Sequence, residues 1–389
     1  MKQQLFQEID RNADVLWDMA DQIFDHPEMG GEERFASALL TDYLEKNGFE
    51  VERGLAGLDT AFRATYKNGD GGPRIGILCE YDALEGLGHG CGHHMQGPAC
   101  LGAAAALKEI YKDKPYTLVV YGTPAEETFS GKIVMLKAGY LTDMDVALMM
   151  HGAPDTCTDI KCLASSGFLV TFHGKSAHAA LKPEDGRSAL DALNLAFHGI
   201  ECMREHVRDD VRMHYTIAEL PGPENVVPSK AVGRFSLRSF SREYLNEVVS
   251  RFRDVIQGAA LMAGVTYDIV EKKALANKIP VLALNDLMIA NAKEAGAPGI
   301  KPPREKTGST DFGNVMHEIP GSCIRMKFVP TGTSSHTQAF VDAGKGEDAH
   351  KCVIYAAKTI AGTALDLISD EGLMEKVKEE FAKNKEVYV

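Results

Sequence analysis

The sequence lacks any run of basic residues dense enough to follow a phosphate backbone, and its formal net charge is −13. These features exclude the electrostatic signature of a nucleic-acid-binding protein, so we expect a small-molecule partner. Residues 1–24 mix charged and apolar residues at helical spacing and contain no uninterrupted apolar block of signal-peptide or membrane-spanning length. We therefore expect a cytoplasmic protein with no nucleic-acid or membrane partner.

The sequence also lacks the dense, short cysteine spacing of a secreted disulfide framework. Its eight cysteines are scattered over the chain. Most are predicted to be reduced core residues. Cys91 is the exception, because Gly90 and Gly92 flank it in a loop where it could act as a ligand.

The length of 389 residues and the hydrophobic content of 44% predict more than one core. Before residue 165, short apolar runs alternate with helical stretches, which predicts an α/β domain with a mixed, largely parallel sheet flanked by helices. Residues 165–275 have a βαββαβ pattern, which predicts an inserted ferredoxin-like domain. We predict a first domain made of 1–164 and 276–389, with 165–275 inserted between its two parts.

Three short apolar runs of the first domain each read as a buried strand: "RIGILC" (74–79), "TLVVYG" (117–122) and "VALMM" (146–150). The polar segments "EYDAL", "TPAEE" and His151 follow these runs in turn. Ligands of open α/β sheets bind beyond the carboxyl ends of the strands. We therefore expect these three segments to meet at one edge of the sheet.

The loop "GHGCGHHMQG" (88–97) holds a cysteine and a histidine two residues apart, a pattern that fits either an ordinary glycine-rich turn or a metal site. A further strand is predicted at 322–329, with another histidine in the loop beyond it. Five candidate ligands exceed one four-coordinate site and suit two ions that share a bridging thiolate. The candidates are Cys91, His93, Glu127, His151 and His336.

Two such ions would make a bound water more acidic and polarise a carbonyl oxygen, the two tasks that amide hydrolysis poses. Adjacent carboxylates in an extended segment point to opposite sides. We assign Glu127 to the metal and Glu126 to the general base. The alternative for this pair is a solvated acidic turn, and for His151 it is a capped core histidine.

Eight ordered motifs, taken together, resemble the metal-dependent aminoacylase, amidohydrolase and exopeptidase family. The branch with the greatest resemblance contains p-aminobenzoyl-glutamate hydrolase, related dipeptidases and hydrolases of indole-acetyl amino acids. The motifs are "DHPEMGGEE" (25–33), "EYDALEGLGHGCGHH" (80–94), "PAEET" (124–128), "MMHGAP" (149–154), "GKSAHAALKPEDGRSALDA" (174–192), "NVVPSKA" (225–231), "GSTDFGNV" (308–315) and "SSHT" (334–337).

The resemblance implies a catalytic domain that holds two metal ions, with the ligands and base assigned above, and an inserted lid domain that also dimerises. It implies that three lid residues hold the carbonyl or carboxylate of the substrate: His178, Asn225 and Arg238. His178 would act in the active site of the partner subunit. Two further expectations are an Asp82 carboxylate that orients a metal ligand and small residues, Gly308, Ser309 and Thr310, whose amides cradle a carboxylate.

Some of these residues also have simpler interpretations. His178 could cap a helix of the lid, and Arg238 could form a surface ion pair. His94 stands where many relatives have Asp or Asn, which is a departure from the family pattern. His89 and His94 are either supporting residues of the site or ordinary structural residues.

We therefore predict a homodimeric hydrolase that cleaves the amide bond of an N-acyl amino acid or dipeptide with a free carboxylate. Two divalent metal ions per chain, Zn, Mn or Co, are the expected cofactors. One alternative is an amidohydrolase or deaminase that acts on a small aromatic amide or amine. Another is a non-catalytic, metal-dependent binding protein, although such a protein has no need of a base like Glu126.

Overall fold

The computed structural model describes residues 1–305 and 307–388, and it divides the chain into two compact units. The first unit contains Met1–Lys161 and Lys278–Val387. The second unit contains Cys162–Asn277 and the end of the last helix. Each unit has its own sheet and its own hydrophobic core.

The strands of the described residues are β1 (Glu50–Arg53), β2 (Phe62–Asn68), β3 (Arg74–Cys79), β4 (Tyr116–Gly122), β5 (Val146–Ala153), β6 (Ala164–His173), β7 (Arg212–Glu219), β8 (Lys230–Ser239), β9 (Thr266–Leu275) and β10 (Gly321–Lys327).

The α-helices of the same residues are α1 (Lys2–Arg11), α2 (Ala13–Asp25), α3 (Arg34–Lys46), α4 (Gln96–Ile110), α5 (Gly131–Lys137), α6 (Ala189–Arg204), α7 (Arg242–Ala263), α8 (Leu282–Glu294), α9 (Phe312–Met316), α10 (Gln338–Asp342), α11 (Glu347–Ser369) and α12 (Glu371–Tyr388).

The sheet of the first unit has the order β1-β2-β4-β3-β5-β10. Strands β4, β3, β5 and β10 are parallel to one another, whereas β2 is antiparallel to both β4 and β1. The residues of β4 are all buried, as expected for a parallel strand covered by helices on both faces. The predicted mixed, largely parallel sheet is confirmed.

Strand β3 has the predicted bounds, but β5 continues to Ala153. His151 therefore lies inside this strand, and the prediction that it follows the strand is wrong. The reason is the pairing partner: β10 extends the parallel ladder as far as Lys327 opposite Ala153, which holds the polar residue in extended conformation.

Helix α11 is long and apolar enough to cross a membrane by length and composition. Most of its residues are buried inside the first unit, where they form part of the main core together with α4 and α8. Burial of this kind is typical of a core helix in a folded domain.

The sheet of the second unit has the order β7-β8-β6-β9, and all its neighbours are antiparallel. With α6 and α7 this is the predicted βαββαβ arrangement. The unit runs from 162 to 277 rather than from 165 to 275. The side chain of Cys162 contacts the carbonyl of Ala276, and the Asn277 side chain accepts a hydrogen bond from the Arg242 amide, so the flanking residues belong to this unit.

Candidate active site

A cavity of about 260 Å³ lies in the first unit, where β3, β4 and β5 end and β10 passes beside them. The predicted base and four of the five predicted metal ligands line it: Glu126, Cys91, Glu127, His151 and His336. The carboxyl ends of neighbouring parallel strands therefore do bring these side chains together, as expected for an open α/β sheet.

Cys91 is common to two groups of potential ligands. Its sulfur lies within 4.8 Å of one donor atom each of His93 and His151, and a second group of the same size joins it to Glu127 and His336. Thiolate, imidazole and carboxylate are donors that zinc accepts. Two overlapping groups with one shared sulfur have the composition expected for two ions with a thiolate bridge.

His93 is buried and His151 is half-buried, and in both rings Nδ1 lies close to an oxygen. His93 Nδ1 lies 2.9 Å from Asp82 Oδ1, and its buried Nε2 forms no hydrogen bond with the described residues, although Glu80 Oε2 is 3.3 Å away. His151 Nδ1 lies 2.7 Å from the Gly152 carbonyl, and its Nε2 is 3.4 Å from Cys91 Sγ. An Nδ1–H that donates to oxygen leaves the Nε2 lone pair for a metal ion.

Asp82 contacts one residue of each of the two ligand groups. One of its carboxylate oxygens accepts from His93, and the other accepts from the Glu127 amide at 2.9 Å. The side chain is buried, as the predicted role of orienting a ligand requires. The loop that carries His336 is tied to the same region, because its amide donates to the Gly90 carbonyl at 2.9 Å and its Nε2 lies 3.3 Å from Glu127 Oε1.

Glu126 lies beside a buried group of charges that the sequence did not reveal. Burial raises the pKa of Glu126 to about 8, and the negative charges of Glu80, Asp311 and Glu127 contribute. The buried Lys132 ammonium donates to Glu80 and, at 2.7 Å, to Asp311. A carboxyl group with a pKa near neutral can both accept and return a proton, so the environment suits a general base.

Glu33 holds the turn that presents Glu126. Its buried carboxylate accepts from the Ala125 amide at 2.7 Å, from the Gly31 amide at 2.8 Å and from the Thr60 hydroxyl at 2.9 Å. Ala125 directly precedes Glu126 and has a φ of 64°, a left-handed conformation that costs a non-glycine residue about 1–2 kcal/mol. The Glu33 carboxylate therefore stabilises an unfavourable backbone conformation.

The segment around Glu33 also approaches this turn closely. A Cβ at Gly30 would lie 2.1 Å from Thr128 Oγ1 and 2.8 Å from Ala125 Cα, so only glycine fits there. The motif at 25–33 therefore supports the turn that carries the predicted base.

We expect Glu33→Gln to lower kcat by about ten- to hundredfold, because small displacements of a catalytic group have effects of this size. The glutamine has one acceptor oxygen where the carboxylate has two, so at least one of the three donors loses its partner. Metal content, measured by elemental analysis, should not change. Glu32→Gln, at the exposed neighbouring position, is the matched control and should behave as wild type. A Glu33→Gln enzyme with normal kcat and merely lower thermal stability would contradict the positioning role.

The predicted carboxylate cradle also lines the cavity, because Gly308, Ser309 and Thr310 all contribute to its wall. Ser309 Oγ is buried and has no hydrogen-bond partner among the described residues. A buried hydroxyl in a cavity wall can donate to a bound ligand.

The three predicted lid residues do not form one group within the chain. His178 and Asn225 are exposed and adjacent, since the Ala179 amide donates to the Asn225 carbonyl at 3.1 Å, next to the start of β8. Arg238 lies eight residues along β8 from Lys230, which corresponds to about 26 Å of strand. Arg238 and the other two residues therefore lie at opposite ends of the sheet of the second unit.

His89 and His94 are both buried and have structural partners. His89 Nε2 lies 3.1 Å from the Ile23 carbonyl, and His94 Nε2 lies 2.8 Å from the Gly344 carbonyl. Burial lowers the pKa of His89 to about 4 and also lowers the pKa of His94. Both rings are therefore neutral at pH 7. His89 links the loop at 88–97 to α2, and His94 links it to the loop after α10.

The chain is similar to known proteins over most of its length. The model of Peptidase family M20/M25/M40 matches residues 77–361. The Xaa-Arg dipeptidase of Mus musculus is 34% identical, over 98% of this chain and 92% of that protein. One of the two p-aminobenzoyl-glutamate hydrolase polypeptides of Escherichia coli (strain K12) is 31% identical, over 93% of this chain and 91% of that protein.

The fold is also found in a solved structure, that of the Bacillus subtilis YXEP protein, described as a dinuclear metal binding peptidase from the M20 family. It superposes with a TM-score of 0.70 over 92% of this chain and 99% of that one, at 20% identity. The family match covers both the ligand loop and the segment that carries Glu126 and Glu127, which confirms the resemblance inferred from the motifs. The chain belongs to Peptidase family M20/M25/M40 and is a metal-dependent hydrolase.

Proposed function

We propose that this hydrolase cleaves the amide bond of an N-acyl amino acid or dipeptide with a free carboxylate. The observation that carries the proposal is the pair of ligand groups that share Cys91, with Glu126 beside them in one cavity. The names of the relatives, a dipeptidase and a p-aminobenzoyl-glutamate hydrolase, support the same class of substrate.

We also propose that two divalent metal ions, Zn, Mn or Co, bind to Cys91, His93, Glu127, His151 and His336. The chemistry of these donors fits such ions. Burial raises the pKa of the Cys91 thiol to about 12. A thiol of this kind ionises at neutral pH only next to a compensating positive charge, which bound metal ions supply.

When bound, the ions would polarise the scissile carbonyl and make the attacking water more acidic. Glu126 accepts the proton of this water and returns it to the nitrogen of the leaving amine as the carbon–nitrogen bond breaks. The Lys132 ammonium offsets part of the negative charge of Glu80 and Asp311, which reduces the repulsion that these carboxylates exert on an ionised Glu126. Asp82 keeps His93 and the Glu127 backbone in place throughout.

We further propose a cytoplasmic homodimer in which His178 donates a hydrogen bond to the developing oxyanion in the partner's site. The positions of the lid residues support roles in two different active sites of the dimer. His178 and Asn225 are exposed at one end of the lid sheet, and Arg238 lies at the other end. Residues so far apart in one chain can serve different sites of a dimer.

The proposed function is tested by loading metal-free protein with zinc, manganese or cobalt and supplying a panel of N-acyl amino acids, dipeptides and small aromatic amides and amines. Mass spectrometry should identify an amino acid and an acid as the product pair. Release of ammonia from an aromatic amide or amine, without cleavage of acyl amino acids, would favour a deaminase instead. Metal-dependent binding without any product would favour a binding protein.

A further inference from the structure

The segment Gly308–Thr310 in the cavity wall has hydrogen-bond donors without acceptors. The three backbone amides of this segment and the buried Ser309 hydroxyl form no hydrogen bond within residues 1–305 and 307–388. A Cβ at Gly308 would have no heavy atom of the described residues within 4 Å, so there is room for a ligand above it. Successive backbone amides can bind an anion when the chain holds them in one conformation.

The segment is fixed at both of its ends. At the amino end, the Thr307 amide donates to the Lys161 carbonyl at 3.0 Å, and its hydroxyl lies 3.2 Å from the same oxygen. At the carboxyl end, the Asp311 carboxylate accepts twice from Lys132, from the ammonium at 2.7 Å and from the backbone amide at 3.2 Å. The side chains of Lys132 and Asp311 are completely buried.

The backbone of Lys132 is itself held next to the predicted base. Lys132 is the second residue of α5, which begins at Gly131. A Cβ at Gly131 would clash with the Pro124 carbonyl oxygen, so only glycine fits there. Helix α5 therefore begins directly against the turn that carries Glu126.

The Lys132 ammonium reaches a third segment of the cavity wall. It also donates to Glu80, which follows β3 and accepts from Gln96 at 2.8 Å. Although burial opposes it, the negative charges of Asp311 and Glu80 raise the pKa of Lys132 above its usual range, so the side chain is a cation. Lys132 thus joins the turn at 124–127, the end of β3 and the segment Gly308–Thr310.

Stability alone does not account for a buried group of this kind. The cost of removing charges from water offsets much of their attraction, and well-packed apolar side chains are often as stable or more stable. Directed ionic hydrogen bonds differ from apolar contacts in that they fix the positions of the groups they join. Lys132 and Asp311 are not among the described residues that line the cavity, so this effect reaches a ligand only through the segment they hold.

We propose that Lys132 is a positioning residue, which through Asp311 holds the segment Gly308–Thr310 in the conformation that binds the α-carboxylate of the substrate. This inference rests on the proposed function, in which the substrate has a free carboxylate. Displacement of the segment would weaken hydrogen bonds to a charged group, which are the stronger ones. The loss should therefore depend on the charge of the substrate.

The test compares each N-acyl amino acid of the panel with its α-carboxamide, which keeps the shape and the scissile bond but lacks the charge. The ratio of kcat/KM for acid and amide should be at least about ten in the wild type. Lys132→Met should bring this ratio close to one. Both compounds are cleaved at the same bond, so a disturbed base or metal ligand would lower both rates and leave the ratio unchanged.

Two further variants keep the test independent of the stability of Lys132→Met, which leaves two buried carboxylates without their cation. Asp311→Asn, and Lys132→Met combined with Asp311→Asn, should also bring the ratio close to one. If the two residues act as a pair, the double variant loses no more than either single variant. Lys137→Met, at an exposed position of α5, is the matched control and should keep the wild-type ratio. Folded variants of Lys132 and Asp311 that keep the wild-type ratio, or a wild type that does not distinguish acid from amide, would overturn the inference.

Binding of the same acids and amides to the Glu126→Gln protein, measured by calorimetry, provides a readout that does not need turnover. The acids should bind more tightly than the amides, and adding Asp311→Asn should remove the difference. If no compound is hydrolysed but this binding result is obtained, the proposed function fails and the positioning role stands. If hydrolysis occurs and the variants lose acid and amide activity equally, the positioning role fails and the proposed function stands.

Discussion

Glu126→Gln is expected to lower kcat by a factor of about 10²–10⁴, the usual contribution of a general base. Glutamine preserves the shape of the side chain but cannot accept the proton of the attacking water. Substrate binding and metal content should stay close to wild type, because Glu126 is proposed to contact the reacting water rather than an ion. Steady-state kinetics, calorimetry and elemental analysis measure the three quantities.

Glu127→Gln is the matched variant at the next position, and its expected result is different. Glu127 lies in the same ligand group as Cys91 and His336, so the loss of its charge should release metal from a protein that otherwise holds about two ions per chain. Activity should then recover partly when the metal concentration is raised. Near-normal turnover of Glu126→Gln, or metal loss from Glu126→Gln without metal loss from Glu127→Gln, would refute the assignment of roles.

Much of the site was predictable because it depends on local patterns. The apolar run at 74–79 is buried on both faces, and such runs identify parallel strands from sequence alone. Since ligands collect at the carboxyl ends of these strands, the segment with Glu126 and Glu127 could be placed opposite the loop with Cys91. Their roles as base and ligands stay predictions until metal is measured.

Other parts of the site depend on contacts between distant segments, which a single sequence does not reveal. Glu33 contacts Ala125 across 92 positions, and Lys132 contacts Asp311 across 179. No local pattern distinguishes such charged residues from solvated ones. The available signals were position and the ordered motifs. Glu33 ends the motif at 25–33, Glu80 directly follows a buried strand, and Asp311 directly follows the small residues at 308–310.

Arg325 is a further residue whose contacts the sequence pattern does not reveal. It lies inside an apolar strand, where the pattern indicates only a buried run with one polar interruption. Its significance depends on Asp159, which lies in an irregular segment, and on the pairing of β10 with β5. The contact of Arg325 with Asp159 is therefore a property of the tertiary structure that the motifs do not reveal.

Co-expression of His178→Ala with Glu126→Gln is expected to restore activity to about a quarter of wild type. Each variant alone should be nearly inactive, because one lacks the oxyanion donor at both sites and the other lacks the base at both sites. Random pairing in a two-fold dimer makes half of the dimers mixed. Each mixed dimer has one site that combines an intact Glu126 with the partner's intact His178.

The position of His178 makes the experiment decisive. The side chain is exposed, and the backbone hydrogen bond that holds this segment to Asn225 comes from the Ala179 amide, so the substitution to alanine should leave the lid folded. If His178 served its own chain, each site of a mixed dimer would still lack either the donor or the base, and no activity would return. Dimers purified through two different tags and still inactive would thus exclude the shared site, whereas recovery requires that two chains build one active site.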